Sequence, residues 1–178
     1  IELKDVVYCR LGTRDLEGAE WFAVNILGLE VAERQRGSVH FKSDSRSHTL
    51  CYFDGDPDEQ VTAFEVAGTS ELQAAAATLE RLGHPVHAGT PEECAVRHVR
   101  AFIRFTDPTG NAPLMRLGAI HHSIALFPFH KPGIQHINHQ VEATDDIQRS
   151  LNLLRDRQIN ITFGPGRHPT SSAQFLYF

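Results

Sequence analysis

Residues 135–157 read QHINHQVEATDDIQRSLNLLRDR, an alternating run followed by an amphipathic one, and 75 positions earlier residues 60–82 read QVTAFEVAGTSELQAAAATLERL. Val61-Thr-Ala-Phe-Glu-Val stands opposite His136-Ile-Asn-His-Gln-Val, Thr69-Ser-Glu-Leu-Gln73 opposite Thr144-Asp-Asp-Ile-Gln148, and Leu79 opposite Leu154. Alternation marks a strand and 3.6-residue periodicity a helix, so two strands are followed at equal distances by two helices. Further out, His48-Thr-Leu-Cys-Tyr-Phe53 is matched by His122-Ser-Ile-Ala-Leu-Phe127. A period longer than the roughly 20–50 residues of solenoid arrays denotes a duplicated domain.

Working outward, Ile1 to Gly12 is strand-like. Asp15 is placed to cap a helix carrying Leu16, Ala19, Trp21, Phe22, Ile26 and Leu27, stopped at Gly28. Leu29–Arg34, Ser38–Ser43 and His48–Phe53 follow as three strands separated by Gly37 and a polar turn, which gives βαβββ. After the Asp54-Gly-Asp-Pro57 break the order restarts, with a strand at Val61–Val66, a helix capped by Thr69 or Ser70 and closed at Gly83, and strands at Val86–Ala88 and Ala101–Phe105. The expected fold is α+β, with repeated βαβββ modules paired into open barrels, because neither module closes a core alone. Two domains are expected, 1–111 (modules of about 1–56 and 57–111) and 112–178. In the second copy the strand around Met115 follows Asn111 almost at once, and Phe178 ends the chain where its counterpart Phe105 runs on into a turn. The second domain is therefore incomplete in this sequence, without its first strand-helix-strand and its last strand.

Composition sets limits on function. With 178 residues, 41% of them apolar, the chain can bury a sizeable core, and no apolar run is long enough to cross a bilayer. A net charge of −5 with dispersed basic residues argues against a nucleic-acid partner and for a small-molecule one. Three cysteines without CxxC spacing give no disulfide framework and no cysteine zinc site, which fits a reducing cytoplasm.

Chemistry is expected in the second half. His136, Asn138 and Gln140 share one face of their strand, where the first copy carries Val61, Ala63 and Glu65. A lone strand histidine is ordinarily a hydrogen-bonded core residue. Here His122 lies on an adjacent expected strand, His168 sits in the Gly164-Pro-Gly-Arg-His loop, and Tyr177 follows nine residues later. Taken singly, His168 reads as a surface turn residue and Tyr177 as a lining aromatic. Together they suit a polar substrate held on a metal.

HHSIALF, QHINHQVE, GPGRHPTS and FLYF, in that order around a helix, resemble the C-terminal domain of the type I extradiol ring-cleavage dioxygenases. Those belong to the vicinal oxygen chelate superfamily, alongside glyoxalase I and the bleomycin-resistance proteins. Residues 1–111 look like that family's N-terminal domain, which keeps the fold and lacks the metal. The resemblance implies Fe(II), with Mn(II) as the alternative ion, held by a 2-His-1-carboxylate triad of which His136 is one histidine. It makes His122 the acid–base residue beside the O₂ site, with His121 the other candidate one position away. It makes His168 and Tyr177 hydrogen-bond donors to substrate oxygens. The first histidine ligand and the glutamate ligand fall outside the sequence, so an ion held by the rest would be readily lost. The implied reaction is meta cleavage of a catechol-type diol by O₂ in aromatic catabolism, by a cytoplasmic homo-oligomer. Two other readings stay open: a glyoxalase-type enzyme, and a non-catalytic protein that binds a small aromatic molecule.

Overall fold

The computed structural model describes residues 1–106, 114–115, 124–125, 133–169 and 171–178. The first module is β1 (Asp5–Thr13), α1 (Leu16–Asn25), β2 (Glu30–Gln35), β3 (Ser38–Lys42) and β4 (Leu50–Asp54). The next strand, β5 (Gln60–Glu65), joins the same sheet, whose order is β2-β3-β4-β1-β5. β1 and β4 run parallel, and the other neighbours are antiparallel. β5 thus carries the sheet across the boundary between modules by pairing with β1, from Asp5 opposite Glu65 to Leu11 opposite Gln60.

The registers sort the side chains into two rows. Val31, Phe41, Leu50, Cys9 and Thr62 lie opposite one another across the five strands, and Glu33, His40, Cys51, Arg10 and Val61 form the next row. Neighbouring residues of a strand face opposite ways, so the rows occupy opposite faces. The first row packs under α1, where Phe41 and Ala23 are fully buried and Cys9, Leu29, Val39 and Leu50 complete the cluster. Asp15 caps α1 by accepting from Gly18 N at 2.9 Å, as its position in the sequence predicts. Trp21 is the exception among the expected core residues of this helix: it is 45% exposed while Ala23 has no exposure. A small residue lets the helix approach the sheet closely, and the indole is turned outward.

α2 (Thr69–Arg81), β6 (His87–Ala88), α3 (Pro91–Val96) and β7 (Ile103–Arg104) follow, with β6 and β7 paired. α3 is not foreshadowed in the sequence reading; a Thr90–Glu93 capping box and Pro91 at its start explain why so short a helix forms. Gly68 occupies the N-cap of α2, so neither Thr69 nor Ser70 caps it. The remaining elements are β8 (Leu114–Met115), β9 (Ile124–Ala125), α4 (Thr144–Asp156), β10 (Phe163–Arg167) and β11 (Gln174–Tyr177).

The repeat is reproduced in one helix and one hairpin. α4 begins and ends 75 residues after α2, and Leu79 and Leu154 are the matching buried positions. Both helices close with a Schellman motif: His84 N donates to Leu79 O at 3.0 Å and Gly83 N to Glu80 O at 2.9 Å in the first, Ile159 N to Leu154 O at 2.9 Å and Gln158 N to Arg155 O at 3.0 Å in the second. The left-handed position is Gly83 (φ 86°) in one and Gln158 (φ 54°) in the other. The β3–β4 pairs Phe41–Leu50 and His40–Cys51 return in β8–β9 as Met115–Ile124 and Leu114–Ala125.

One expected strand is not formed as such. Residues 136–141 pair with no strand among the described residues. Instead Ile134 and Ile137 pack against the core of the first module, and Ile134 N donates to Gln60 Oε1. At the other end of the chain Phe178 stacks near Phe22 of α1, ring centroids 6.4 Å apart. The Asn111–Ala112 junction lies outside the described residues.

Candidate functional site

Two groups of histidines stand out, one in each half of the chain. In the second half, β10 and β11 form a hairpin in which Gly166 faces Phe175 and Phe163 faces Tyr177. The absence of a side chain at Gly166 gives the Phe175 ring its place; a Cβ there would lie 2.7 Å from that ring. His168, just past the end of β10, stacks on Phe175 at 4.3 Å between centroids and meets the Tyr177 hydroxyl with Nε2 at 3.2 Å. His136 presents its ring edge-on to Tyr177 at 5.1 Å. Three of the four residues singled out in the sequence therefore converge on one spot. The fourth, His122, lies outside the described residues, as does His121.

His168 and Tyr177 are half-buried and His136 is exposed. His136 Nδ1 is 2.6 Å from Gln135 Oε1, which fixes one side of its ring. The expected Gly-Pro-Gly-Arg loop is in fact the strand β10, and the turn proper begins at His168, where Ser172 N donates to His168 O at 2.9 Å. A cleft of about 340 Å³ lined by Ile147, Pro165, Gly166, Arg167 and Gln174 lies beside the hairpin. Arg167 and Gln174 are paired, one residue out of phase with Gly166 and Phe175, so this cleft is on the α4 side of the hairpin and the His168–Tyr177 pair is on the other.

The His168–Tyr177 bond can hold a proton on either partner, depending on the imidazole tautomer, and can pass it to an oxygen placed against them. As a metal centre the group is incomplete in the residues described. His136 offers an imidazole, but no set of three His, Cys, Asp or Glu ligand atoms converges here among the described residues.

Such a set does converge in the first half, on the face of the sheet away from α1. Ligand atoms of Glu33, His40 and His98 lie within 4.8 Å of one another. His40 and His48 are 0% and 1% exposed, and their rings meet edge-to-face at 4.8 Å. His98 closes the group, 5.3 Å from His40 and 5.8 Å from His48 between centroids, with its Nε2 2.6 Å from Glu33 Oε2. Tyr8 stacks on His48 at 4.5 Å. Among the described residues, neither ring nitrogen of His40 nor Nε2 of His48 has a hydrogen-bond partner. The Val96 carbonyl is near enough to favour a charged His40 slightly, yet it falls outside hydrogen-bond geometry. Each such orphan costs about 1–3 kcal/mol. Burial pushes the His48 pKa down to about 4, with the neighbouring His40, His98 and Arg10 adding to the effect. Burial, then His98 and Arg10, lowers that of His40. Both rings are neutral near pH 7.

The sequence reading missed this group and placed the histidine chemistry wholly in the second half. Its signal was weak: His40 is a single histidine between Val39 and Phe41 in a short strand, and His98 follows a helix that was itself unforeseen.

A five-stranded sheet of order β2-β3-β4-β1-β5 with a parallel β1–β4 pair, a copy of its β3–β4 hairpin in β8–β9 and a copy of α2 in α4 define an α+β protein with a βαβββ module and an internal repeat. Residues 5–112 and 114–178 match the Glyoxalase/Bleomycin resistance protein/Dioxygenase superfamily, and the chain belongs to that superfamily. Its fold is similar to that of a catechol 2,3-dioxygenase, with a TM-score of 0.84 and 19% identity over 99% of this chain and 84% of that one. Homoprotocatechuate 2,3-dioxygenase from Arthrobacter globiformis gives a TM-score of 0.80 at 18% identity over 99% and 77% of the two chains. The enzyme of the same name from Brevibacterium fuscum, in an anaerobic complex with 3,4-dihydroxyphenylacetate, gives 0.77 at 17% over 98% and 76%. Among the described residues no helix is long and apolar enough to cross a membrane.

Proposed function

We propose that this chain is an extradiol dioxygenase that opens a catechol-type ring with O₂, and that the group around Tyr177 is its substrate site. The observation that carries the reading is the Nε2–hydroxyl contact of 3.2 Å between His168 and Tyr177, with the His136 ring against the same tyrosine. The neighbours with the same fold, named as catechol and homoprotocatechuate dioxygenases, support the choice of reaction. In this reading the half from residue 112 to 178 carries the chemistry, and residues 1–111 support it.

His168 and Tyr177 orient the diol and hold a proton at the hydroxyl oxygen. His136 is one ligand of Fe(II), or of Mn(II) in its place, and the ion supplies electron transfer between diol and O₂ when bound. His122 is the acid–base residue. The repeat favours it over His121, because it is the counterpart of His48, which turns its ring to the inner face beside His40 and Tyr8. The reaction takes place in a homo-oligomer in the cytoplasm, and the partners are a small aromatic diol and O₂.

Oxygen uptake with a panel of catechols after anaerobic loading with Fe(II) tests the assignment. A glyoxalase-type enzyme or a non-catalytic binder takes up no O₂. His122→Phe is expected to keep its iron and to lose at least ~100-fold in turnover, the lower end of what a positioned acid–base group contributes. Unchanged turnover removes His122 from the reaction.

A further inference from the structure

We propose that Glu33, His40 and His98 form a second, separate binding site for a divalent first-row transition cation, with zinc as the representative ion. Two imidazoles and a carboxylate make a borderline N/O set suited to such ions rather than to calcium or magnesium.

The geometry points there in three ways. The ligand atoms lie within 4.8 Å of one another, and metal–ligand bonds of roughly 2.0–2.2 Å require only a modest closing of that triangle. His40 is fully buried and opposes Glu33 directly in the β2–β3 register, so it is a fixed ring against which the exposed Glu33 and His98 side chains can close. His40 is buried, brings a ring nitrogen into the group, and has no hydrogen-bond partner for either ring nitrogen among the described residues.

The backbone supports the same conclusion. α3 ends in a Schellman motif, with Val99 N donating to Cys94 O at 3.1 Å and His98 N to Ala95 O at 3.1 Å. Its left-handed residue, where glycine is usual, is His98 at φ 53°. A histidine there is unfavourable for the helix end and places an imidazole over His40. A bound cation would tie the outer edge of the first sheet to the end of α3, across 58 residues of sequence from His40 to His98. The site does not repeat in the second half: the counterpart of His40 is Leu114.

The experiment is a Zn(II) titration of the full chain, stripped with EDTA and desalted, read by equilibrium dialysis and thermal melting. The expectation is one tight equivalent per chain that raises Tm by roughly 5–10 °C at a free Zn(II) of one hundred times Kd. His98→Gly should fold, since glycine suits the left-handed position, and should lose that equivalent and its Tm response. Glu33→Gln should weaken it by more than ~100-fold, beyond the loss of a mere second-sphere partner. His136→Gln should leave it unchanged. Three results overturn the proposal: no tight equivalent in the unaltered chain, one that survives in His98→Gly, or only several weak ones indifferent to every variant.

Discussion

The histidines of the first module and those of the hairpin near the C-terminus are held by different physics. His40 and His48 are buried beside a five-stranded sheet, on its face away from α1, and burial keeps them neutral. His168 sits at the end of a two-stranded hairpin and the exposed His136 rests against it, and aromatic rings and a tyrosine hydroxyl orient them. The first pair is buried and packed ring against ring, and the second is partly exposed to solvent. The difference follows from neighbours. His40, on an interior strand of the sheet, opposes the buried Cys51 on the neighbouring strand, and His168 follows the last residue of an edge strand.

The largest expected effect tests whether the halves are true structural repeats. Leu79→Ala and Leu154→Ala should each cost about 2–5 kcal/mol in urea unfolding, since both are buried on the same turn of matching helices. A cost in one and none in the other would break the equivalence.

Acid unfolding sharpens the contrast between buried and partly exposed histidines. His48 titrates at about 4 in the fold against an ordinary 6.5, so unfolding takes up a proton between those values. Its contribution is fully present above about 6.5 and lost as the pH falls to about 4; it amounts to about 3 kcal/mol. Measured in EDTA, the pH slope of stability in this window should flatten in His48→Phe. An unchanged slope would mean that the ring is hydrated.

The smallest effect concerns the helix ends. Gln158→Gly should stabilise by about 0.5–1 kcal/mol, the relief of a left-handed conformation less the extra freedom of the unfolded chain. Gly83→Gln should lose a similar amount, and a denaturation midpoint shift in each is the measurement.

Much of the fold was legible. The 75-residue offset placed α2 and α4, the βαβββ order held, and Asp15 and Gly83 performed the roles their types suggest, because caps and periodicity are local properties of the chain. Local signals also failed where a neighbour decided. Residues 136–141 alternate as a strand should, yet two isoleucines near them found the first module's core instead of a ladder. Of the candidate site, the closeness of His168 and Tyr177 was legible from spacing, since a hairpin brings residues nine apart together; the place of His136 was not, because the strand expected to carry it is not formed.

By itself the sequence determined the repeat, the class of fold and which side chains on the C-terminal hairpin could share a proton. Only the tertiary structure decided that Glu33, His40 and His98 meet, for their convergence depends on strand register and on the left-handed turn after α3. Pattern along the chain carries the period of each element, whereas contact between elements is set by packing, and packing is where a buried imidazole finds or lacks its partner.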